Sequence, residues 1–231
     1  MDKACIAAIN KNLSGIAFTD HLDVDYVNYP DGFFYDFNEY FDSVNKTIEK
    51  FHDKIDIIKA VEVGLQPHVI DETINRTSGY DFDYKIGSTH LINRKDPYAY
   101  QYFTDESTKN DSYVTYLKEI IKNINLYSDY DCIGHIDYLV RYSPFDDPVF
   151  YYNEFSDYFD EILHFIINKD IALEINNLKP FVELMVANTS SKPYQPVLMH
   201  LPPYLSAESV PEVLPKDGYG KIKITLDTDK L

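Results

Sequence analysis

Apolar residues recur along this chain in two rhythms, short unbroken runs and stripes at three- and four-residue spacing, and the two take turns. From Lys3 to Leu13, the residues Ile6, Ile9 and Leu13 keep helical spacing, with Asp2 placed to cap the first turn. Gly15 breaks that pattern, and Ile16-Ala17-Phe18-Thr19 reads as a buried strand that stops at Asp20-His21. Beyond Asp36, Phe37, Tyr40, Phe41, Val44, Ile48 and Phe51 stand at i, i+3, i+4 intervals, an amphipathic helix whose aromatic stripe is core by default. A second strand over Ile57 to Val63, a short helix over Pro67 to Asn75 and a third strand over Asp83 to Ser88 follow. The polar stretch from Asn93 to Asp111 reads as a loop. Tyr113, Tyr116, Leu117, Ile120, Ile121 and Ile124 form the next helical stripe, leading to a strand at Cys132-Ile133-Gly134-His135. Phe155 to Ile167 is helical, Ile171 to Ile175 a fifth strand and Lys221 to Leu226 a sixth. Strand and helix alternate regularly, which predicts an α/β fold with a parallel sheet, open or closed into a barrel.

Composition narrows this picture. A length of 231 residues suits one large domain, and 45% apolar residues supply a core and exclude general disorder. With 21 Lys+Arg against 38 Asp+Glu the formal charge is −17, and no basic block stands out, so no nucleic-acid partner is expected. The surplus of acid favours metal cations instead. No stretch reaches the apolar length of a bilayer span, and the segment MDKACIAAINKN lacks the apolar centre of a signal peptide, so no membrane partner is expected. Cys5 and Cys132 belong to no zinc or redox spacing, which fits a reducing, cytoplasmic compartment. The 21 Tyr and 14 Phe beside no Trp carry no functional implication by themselves.

The chemically capable residues fall in one kind of place. Asp20 and His21, Glu62, His90, His135, and Glu174 with Asn176 all lie at or just beyond the C-terminal ends of predicted strands. In a β/α barrel those ends converge on one face, the face that carries active sites. Imidazole nitrogen and carboxylate oxygen without cysteine are ligands suited to Zn, Mn or Fe, and their convergence describes a hydrolytic metal site. Any one of these histidines, taken alone, is more often a half-buried structural residue; the weight lies in repetition at equivalent positions. His52 and His164 fall away from strand ends and are read as structural, and His68, after Pro67, as exposed. His200, in Met199-His200-Leu201-Pro202-Pro203, has no assigned place.

Local motifs add a resemblance. Gly15-Ile16-Ala17-Phe18-Thr19-Asp20-His21, Val61-Glu62-Val63-Gly64-Leu65, Ile86-Gly87-Ser88-Thr89-His90, Cys132-Ile133-Gly134-His135-Ile136-Asp137-Tyr138 and Leu173-Glu174-Ile175-Asn176 occur in one order. Together they resemble the polymerase and histidinol phosphatase (PHP) superfamily, and within it the histidinol-phosphatase branch, from the start of the chain to about Asn176. The resemblance implies a distorted seven-stranded (β/α)7, TIM-like barrel that holds two or three divalent ions (Zn, Mn or Fe). It implies hydrolysis of a small-molecule phosphomonoester, histidinol phosphate to histidinol and phosphate in histidine biosynthesis. By the same resemblance His21, Glu62, His90 and His135 are metal ligands, with Glu62, His90 and Arg141 catalytic. Arg141, in Tyr138-Leu139-Val140-Arg141-Tyr142, resembles the arginine that meets the substrate phosphate, a role suited to its planar fork of donors; a surface salt bridge is the equal alternative. Ser88 is expected at the substrate, or else as a capping or packing hydroxyl. Asp20 is expected to orient His21 rather than bind metal itself.

The departures matter too. The family's first strand, ending in Asp-x-His-x-His, is not found ahead of the first helix, which implies a barrel lacking that strand and fewer ions than the family holds. Its late Ser-Asp-x-His motif is matched by Thr228-Asp229-Lys230-Leu231, where Leu231 replaces His and Asp229 keeps the carboxylate, a fifth metal ligand. Residues 1–231 are thus expected to form a single PHP-type domain, N-terminally truncated relative to the family, with 180–231 divergent. Two alternatives stand beside histidinol phosphate: another PHP phosphoesterase such as a phosphotyrosine-protein phosphatase, and an inactive remnant that only folds or binds metal.

Overall fold

The computed structural model describes residues 1–27, 29, 36–98 and 102–174 in full, and the backbone of the strands at 33–34, 205–209 and 222–226. Five strands run parallel in the order β1 (Gly15–Asp23), β3 (Asp56–Gly64), β4 (Tyr84–Ser88), β5 (Cys132–Ile133) and β6 (Ala172–Leu173). A short β2 (Phe33–Phe34) pairs antiparallel with Leu22 and Asp23 at the outer edge of β1. Helix α1 (Asp2–Asn10) precedes β1, and the helices between the strands are α2 (Phe37–Phe51), α3 (Ile70–Thr77), α4 (Lys109–Leu126) and α5 (Tyr152–Lys169). The predicted α/β alternation is therefore present as a five-stranded parallel sheet.

Several boundaries move. The cap of α1 is Met1, without a side-chain hydrogen bond, and not Asp2, which sits inside the first turn, where a negative charge favours the helix N-terminus, and pairs with Lys50. That helix ends at Asn10, because Asn12 takes a left-handed φ of 56°, so Leu13 lies outside it. Strand β1 extends four residues past Thr19, in continuous register with β3 from Gly15 opposite Asp56 to Asp23 opposite Gly64. Asp20 and His21 accordingly lie within the strand instead of after it. The short helix begins as a 3-10 turn over Pro67–Val69 and continues as α3. Segment Ile222–Leu226 is a strand, β8, but it pairs antiparallel with β7 (Leu205–Ser209) in a separate two-stranded sheet, which corrects its expected place in the parallel sheet. Ile222, Ile224 and Leu226 alternate with Lys223 and Thr225, the pattern of a strand with one apolar face rather than of one buried on both sides.

The sheet packs on α2, α4 and α5 through a core that includes Val44, Val61, Leu117 and Ile162. A smaller cluster of Cys5, Ala8, Phe51 and Ile55 seats α1 on the start of the sheet. Asp36 caps α2 by accepting from the Asn38 amide at 2.8 Å, and Thr108 caps α4 by accepting from the Asp111 amide at 3.1 Å. The many tyrosines have a structural use, for their rings fill the core while their hydroxyls bond backbone carbonyls. Tyr113 donates to the Pro148 carbonyl at 2.6 Å, and the Tyr40 hydroxyl stands 2.9 Å from the carbonyls of both Phe18 and Ala60. Both cysteines are free and buried. Among the described residues, no helix is long and apolar enough to cross a membrane.

Candidate metal centre

Register puts the site together before any side chain is considered. In a strand, residues two apart share a face, so His21 and Asp23 of β1 look the same way, as do Glu62 and Gly64 of β3. His21 stands opposite Glu62, Asp23 opposite Gly64, and Gly64 opposite Ser88. Across the C-terminal end of the sheet this gives two neighbouring rows, one that sets His21 beside Glu62 and one that runs Asp23, Gly64, Ser88. The glycines make room. A Cβ on Gly64 would lie 1.8 Å from Asp23 Oδ1, and one on Gly134 would lie 2.1 Å from Ser88 Oγ. His90 and His135 arrive from the segments just beyond β4 and β5.

Three imidazoles converge on one carboxylate. Glu62 Oε1 lies 3.0 Å from His90 Nε2 and 3.0 Å from His135 Nε2, and Ser88 donates its hydroxyl to the same oxygen at 2.9 Å. Glu62 Oε2 lies 3.6 Å from His21 Nε2. Behind the rings, Asp23 is 2% exposed and meets His21 Nδ1 at 3.1 Å and His90 Nδ1 at 2.8 Å. Burial opposes ionisation of Glu62, but hydrogen bonds from His135 and His90 prevail and hold its carboxyl well below the usual range. Asp23 is likewise held low against its burial, chiefly by the charge of His90. His90 is pushed up to about 10: burial works against it, and the charge of Asp23 overcomes that. His21 is raised by its hydrogen bond to Asp23, against burial.

This donor set fits a divalent cation. Glu62, His90 and His135 place one ligand atom each within 4.8 Å of one another, and all are nitrogen or oxygen. Two ligands at ordinary zinc distances and roughly 90–110° apart stand about 2.8–3.5 Å from each other, and Glu62 Oε1 lies 3.0 Å from the Nε2 of both His90 and His135. Electrostatics agrees. An ionised Asp23 can only accept, so the Nδ1 of His90 carries a proton, and a neutral ring then turns its Nε2 lone pair toward a carboxylate. Only positive charge, on the ring or between ring and carboxylate, relieves that contact. His135 Nδ1 is buried with no hydrogen-bond partner among the described residues, so that ring is held by stacking on Tyr138, centroids 4.9 Å apart, and by its Nε2 contact.

The remaining expected site residues separate. Ser88 is buried and its hydroxyl is directed at Glu62. Arg141 lies over the Tyr138 ring, 5.4 Å from its centroid, and makes no ion pair within 4.0 Å among the described residues, so the surface salt bridge weighed for it is not found there. Asp20 does not orient His21. Adjacent strand residues face opposite ways, its carboxyl is pushed up by burial, and the acid that holds the His21 ring is Asp23. Glu174 accepts from the His135 backbone amide at 2.9 Å, tying β6 to the site. His68 is paired with Asp25 at 2.7 Å, while His52 and His164 bond helix carbonyls of Glu49 and Asp160. Asn176, His200 and Asp229 lie outside the described residues. The sequence pattern ends the first strand before Asp20 and so does not single out Asp23; the spacing His21-Leu22-Asp23, with both polar residues on one face, is the signal that does.

A family model for the PHP domain matches residues 1–178. The chain belongs to the PHP family. Among its PHP relatives, the Clostridium acetobutylicum protein named "Probable histidinol-phosphatase" is 34% identical over 178 residues, covering 76% of this chain and 66% of that protein. The Lactococcus lactis protein named "Histidinol-phosphatase" is 31% identical over 171 residues, covering 73% of this chain and 62% of that protein. The matched part of the chain thus spans somewhat less than two thirds of the length of these relatives. The crystal structure of the Lactococcus lactis histidinol phosphate phosphatase complexed with zinc, L-histidinol and phosphate superposes with a TM-score of 0.72 at 29% identity, covering 79% of this chain and 70% of that one. A Listeria monocytogenes structure at 16% identity and a TM-score of 0.59, covering 76% of each chain, shows the shared PHP fold.

Proposed function

We propose that this PHP protein is a metal-dependent phosphomonoester hydrolase acting on histidinol phosphate, releasing histidinol and phosphate in histidine biosynthesis. The observation that carries the proposal is the convergence of His21, His90 and His135 on the Glu62 carboxylate at the C-terminal end of the sheet. Support for the substrate comes from two relatives named as histidinol-phosphatases and a structural neighbour whose complex holds zinc, histidinol and phosphate. His21, Glu62, His90 and His135 would hold the cation, with Asp229 a further carboxylate ligand; Zn, Mn and Fe all suit such donors. A bound divalent metal supplies a Lewis acid for phosphate oxygens and lowers the pKa of water.

The chain's own residues do the rest. Glu62 offsets the positive charge of the site, and Ser88 fixes which way its oxygens point. Arg141, held over Tyr138, offers a planar fork to the phosphate. Residues 1–231 form one PHP-type domain in this proposal, with the parallel sheet as part of the wall of a distorted barrel, and the two buried thiols suit a reducing cytoplasm.

The test is phosphate release by chelator-treated protein reloaded with Zn or Mn. Histidinol phosphate is expected to be hydrolysed only with metal, and faster than a phosphotyrosine peptide. Metal-loaded, folded protein that releases no phosphate from histidinol phosphate would overturn the proposal.

A further inference from the structure

Asp23 lies behind the rings that face Glu62, closed from solvent, and its two oxygens go to different partners: Oδ2 to His21 Nδ1 at 3.1 Å and Oδ1 to His90 Nδ1 at 2.8 Å. We infer that Asp23 is a positioning residue that holds the Nδ1 protons of His21 and His90 together, one oxygen to each, and so directs both Nε2 atoms to a divalent cation beside Glu62. The inference rests on the metal-centre proposal and adds to it a residue that touches neither substrate nor cation. An ionised carboxylate accepts and never donates, so each ring must present Nδ1–H to it. With Nδ1–H committed to Asp23, Nε2 is the nitrogen of each ring that gives up its proton to a cation and ligates it.

Three features tie Asp23 to this task. Its pairing with Gly64 across β1 and β3 leaves no space for a side chain at position 64, where a Cβ would fall 1.8 Å from Oδ1 and 2.6 Å from Cγ. The two rings it holds are 5.1 Å apart and both turn their far nitrogens toward Glu62, at 3.0 Å for His90 and 3.6 Å for His21. The alternative, a cation on the Nδ1 side bound by His21, Asp23 and His90, is also within ligand reach. That side is sealed and holds a single carboxylate already hydrogen-bonded to both rings. On the Nε2 side, a third imidazole and a carboxylate with a 14% exposed side chain complete the ring of donors. Because one carboxylate serves both histidines, neither can change tautomer without breaking an ionic hydrogen bond that orients its neighbour's partner.

Asp23→Asn tests this with little change of shape. An amide has one accepting oxygen, and its NH2 turned to the second ring makes that Nδ1 an acceptor and moves the proton to Nε2. In 15N-histidine spectra of the metal-free protein, one ring of the His21 and His90 pair is expected to lose its Nδ1 proton while His135 is unchanged. Competitive titration is expected to show zinc bound about 10- to 100-fold more weakly. Gly64→Ala, which alters no ligand, is expected to weaken zinc in the same way by displacing the carboxylate, and it serves where Asp23→Asn does not fold. Both rings keeping Nδ1 protons in folded Asp23→Asn would overturn the inference, as would unchanged zinc affinity in a folded variant of both kinds. Loss of one whole zinc equivalent with tautomers unchanged would make Asp23 a ligand and overturn it too. Wild-type protein that binds no zinc would defeat the metal centre, and the metal-free spectra would still decide the role of Asp23.

Discussion

Gly134 has ordinary negative φ, so replacing it with alanine adds a methyl group without straining the backbone. That methyl would stand 2.1 Å from Ser88 Oγ and 3.1 Å from Ile86 Cγ2, and the hydroxyl has to leave. Its hydrogen bond to the Glu62 carboxylate, worth about 1.5–3 kcal/mol as a bond to a charged group, goes with it. Overpacking adds about 1–3 kcal/mol, and the lower entropy of the unfolded alanine chain returns less than about 1 kcal/mol. Gly134→Ala is therefore expected to cost about 2–5 kcal/mol. Ser88→Ala alone loses only the bond, about 1.5–3 kcal/mol. In the double variant the bond is lost once and the worst contact is gone, so the total should stay near 2–4 kcal/mol, with a coupling of about 2 kcal/mol between the sites. Urea unfolding of the four proteins with chelator present measures this. Costs that add to within about 0.5 kcal/mol would refute the claim that Gly134 exists to admit the Ser88 hydroxyl.

His135→Ala and Glu62→Ala are each expected to lower the zinc bound per chain, measured by atomic absorption after gel filtration; full stoichiometry in both would exclude the proposed centre. The pH dependence of stability should change sign with metal. In metal-free protein the raised pKa of His90 contributes stability that is complete below about 6.5 and is lost as pH rises toward about 10, the raised His21 acts in the same direction, and the depressed Glu62 and Asp23 contribute above about 4.5 and lose it in acid. With excess zinc the histidines must be deprotonated, so zinc stabilisation should grow with pH over the same interval. Thermal melts from pH 5 to 9 that slope the same way with and without zinc would contradict this.

How far the site was legible depended on which residues announce themselves. The histidines and Glu62 stood at the ends of apolar runs, and a parallel sheet brings such ends together, so position alone grouped them. Asp20 and Asp23 were not separable in that way. Choosing between them needs the strand's true end, because a face alternates with every residue, and β1 continues through Leu22, which is 1% exposed. The glycines at 64 and 134 were visible as letters, but the space they leave is defined by a neighbouring strand's register, which a single strand's sequence does not contain. The hairpin of β7 and β8 shows the same limit: the Ile222–Leu226 pattern announces a strand, and its partner, Leu205–Ser209, has no comparable apolar run.

The net charge of −17 raises a physical question for an enzyme whose proposed substrate is a phosphate dianion. At 0.01 M salt the Debye length is about 30 Å, comparable to the whole domain, and the net negative charge repels an approaching dianion at long range. Inside the proposed site a bound cation and Arg141 would reverse the sign, over distances too short for salt to screen strongly. Raising ionic strength to about 0.15 M cuts the Debye length to about 8 Å, which weakens the long-range repulsion first. For the proposed reaction kcat/KM should therefore rise with potassium chloride over this range, by less than about tenfold, while kcat changes little, and fall again once short contacts are screened. Initial rates at fixed zinc and subsaturating histidinol phosphate measure it. A steady fall in kcat/KM from the lowest salt upward would mean that the mouth of the site presents a positive field of its own, and that the acidic residues lie too far from the path of the substrate to be felt.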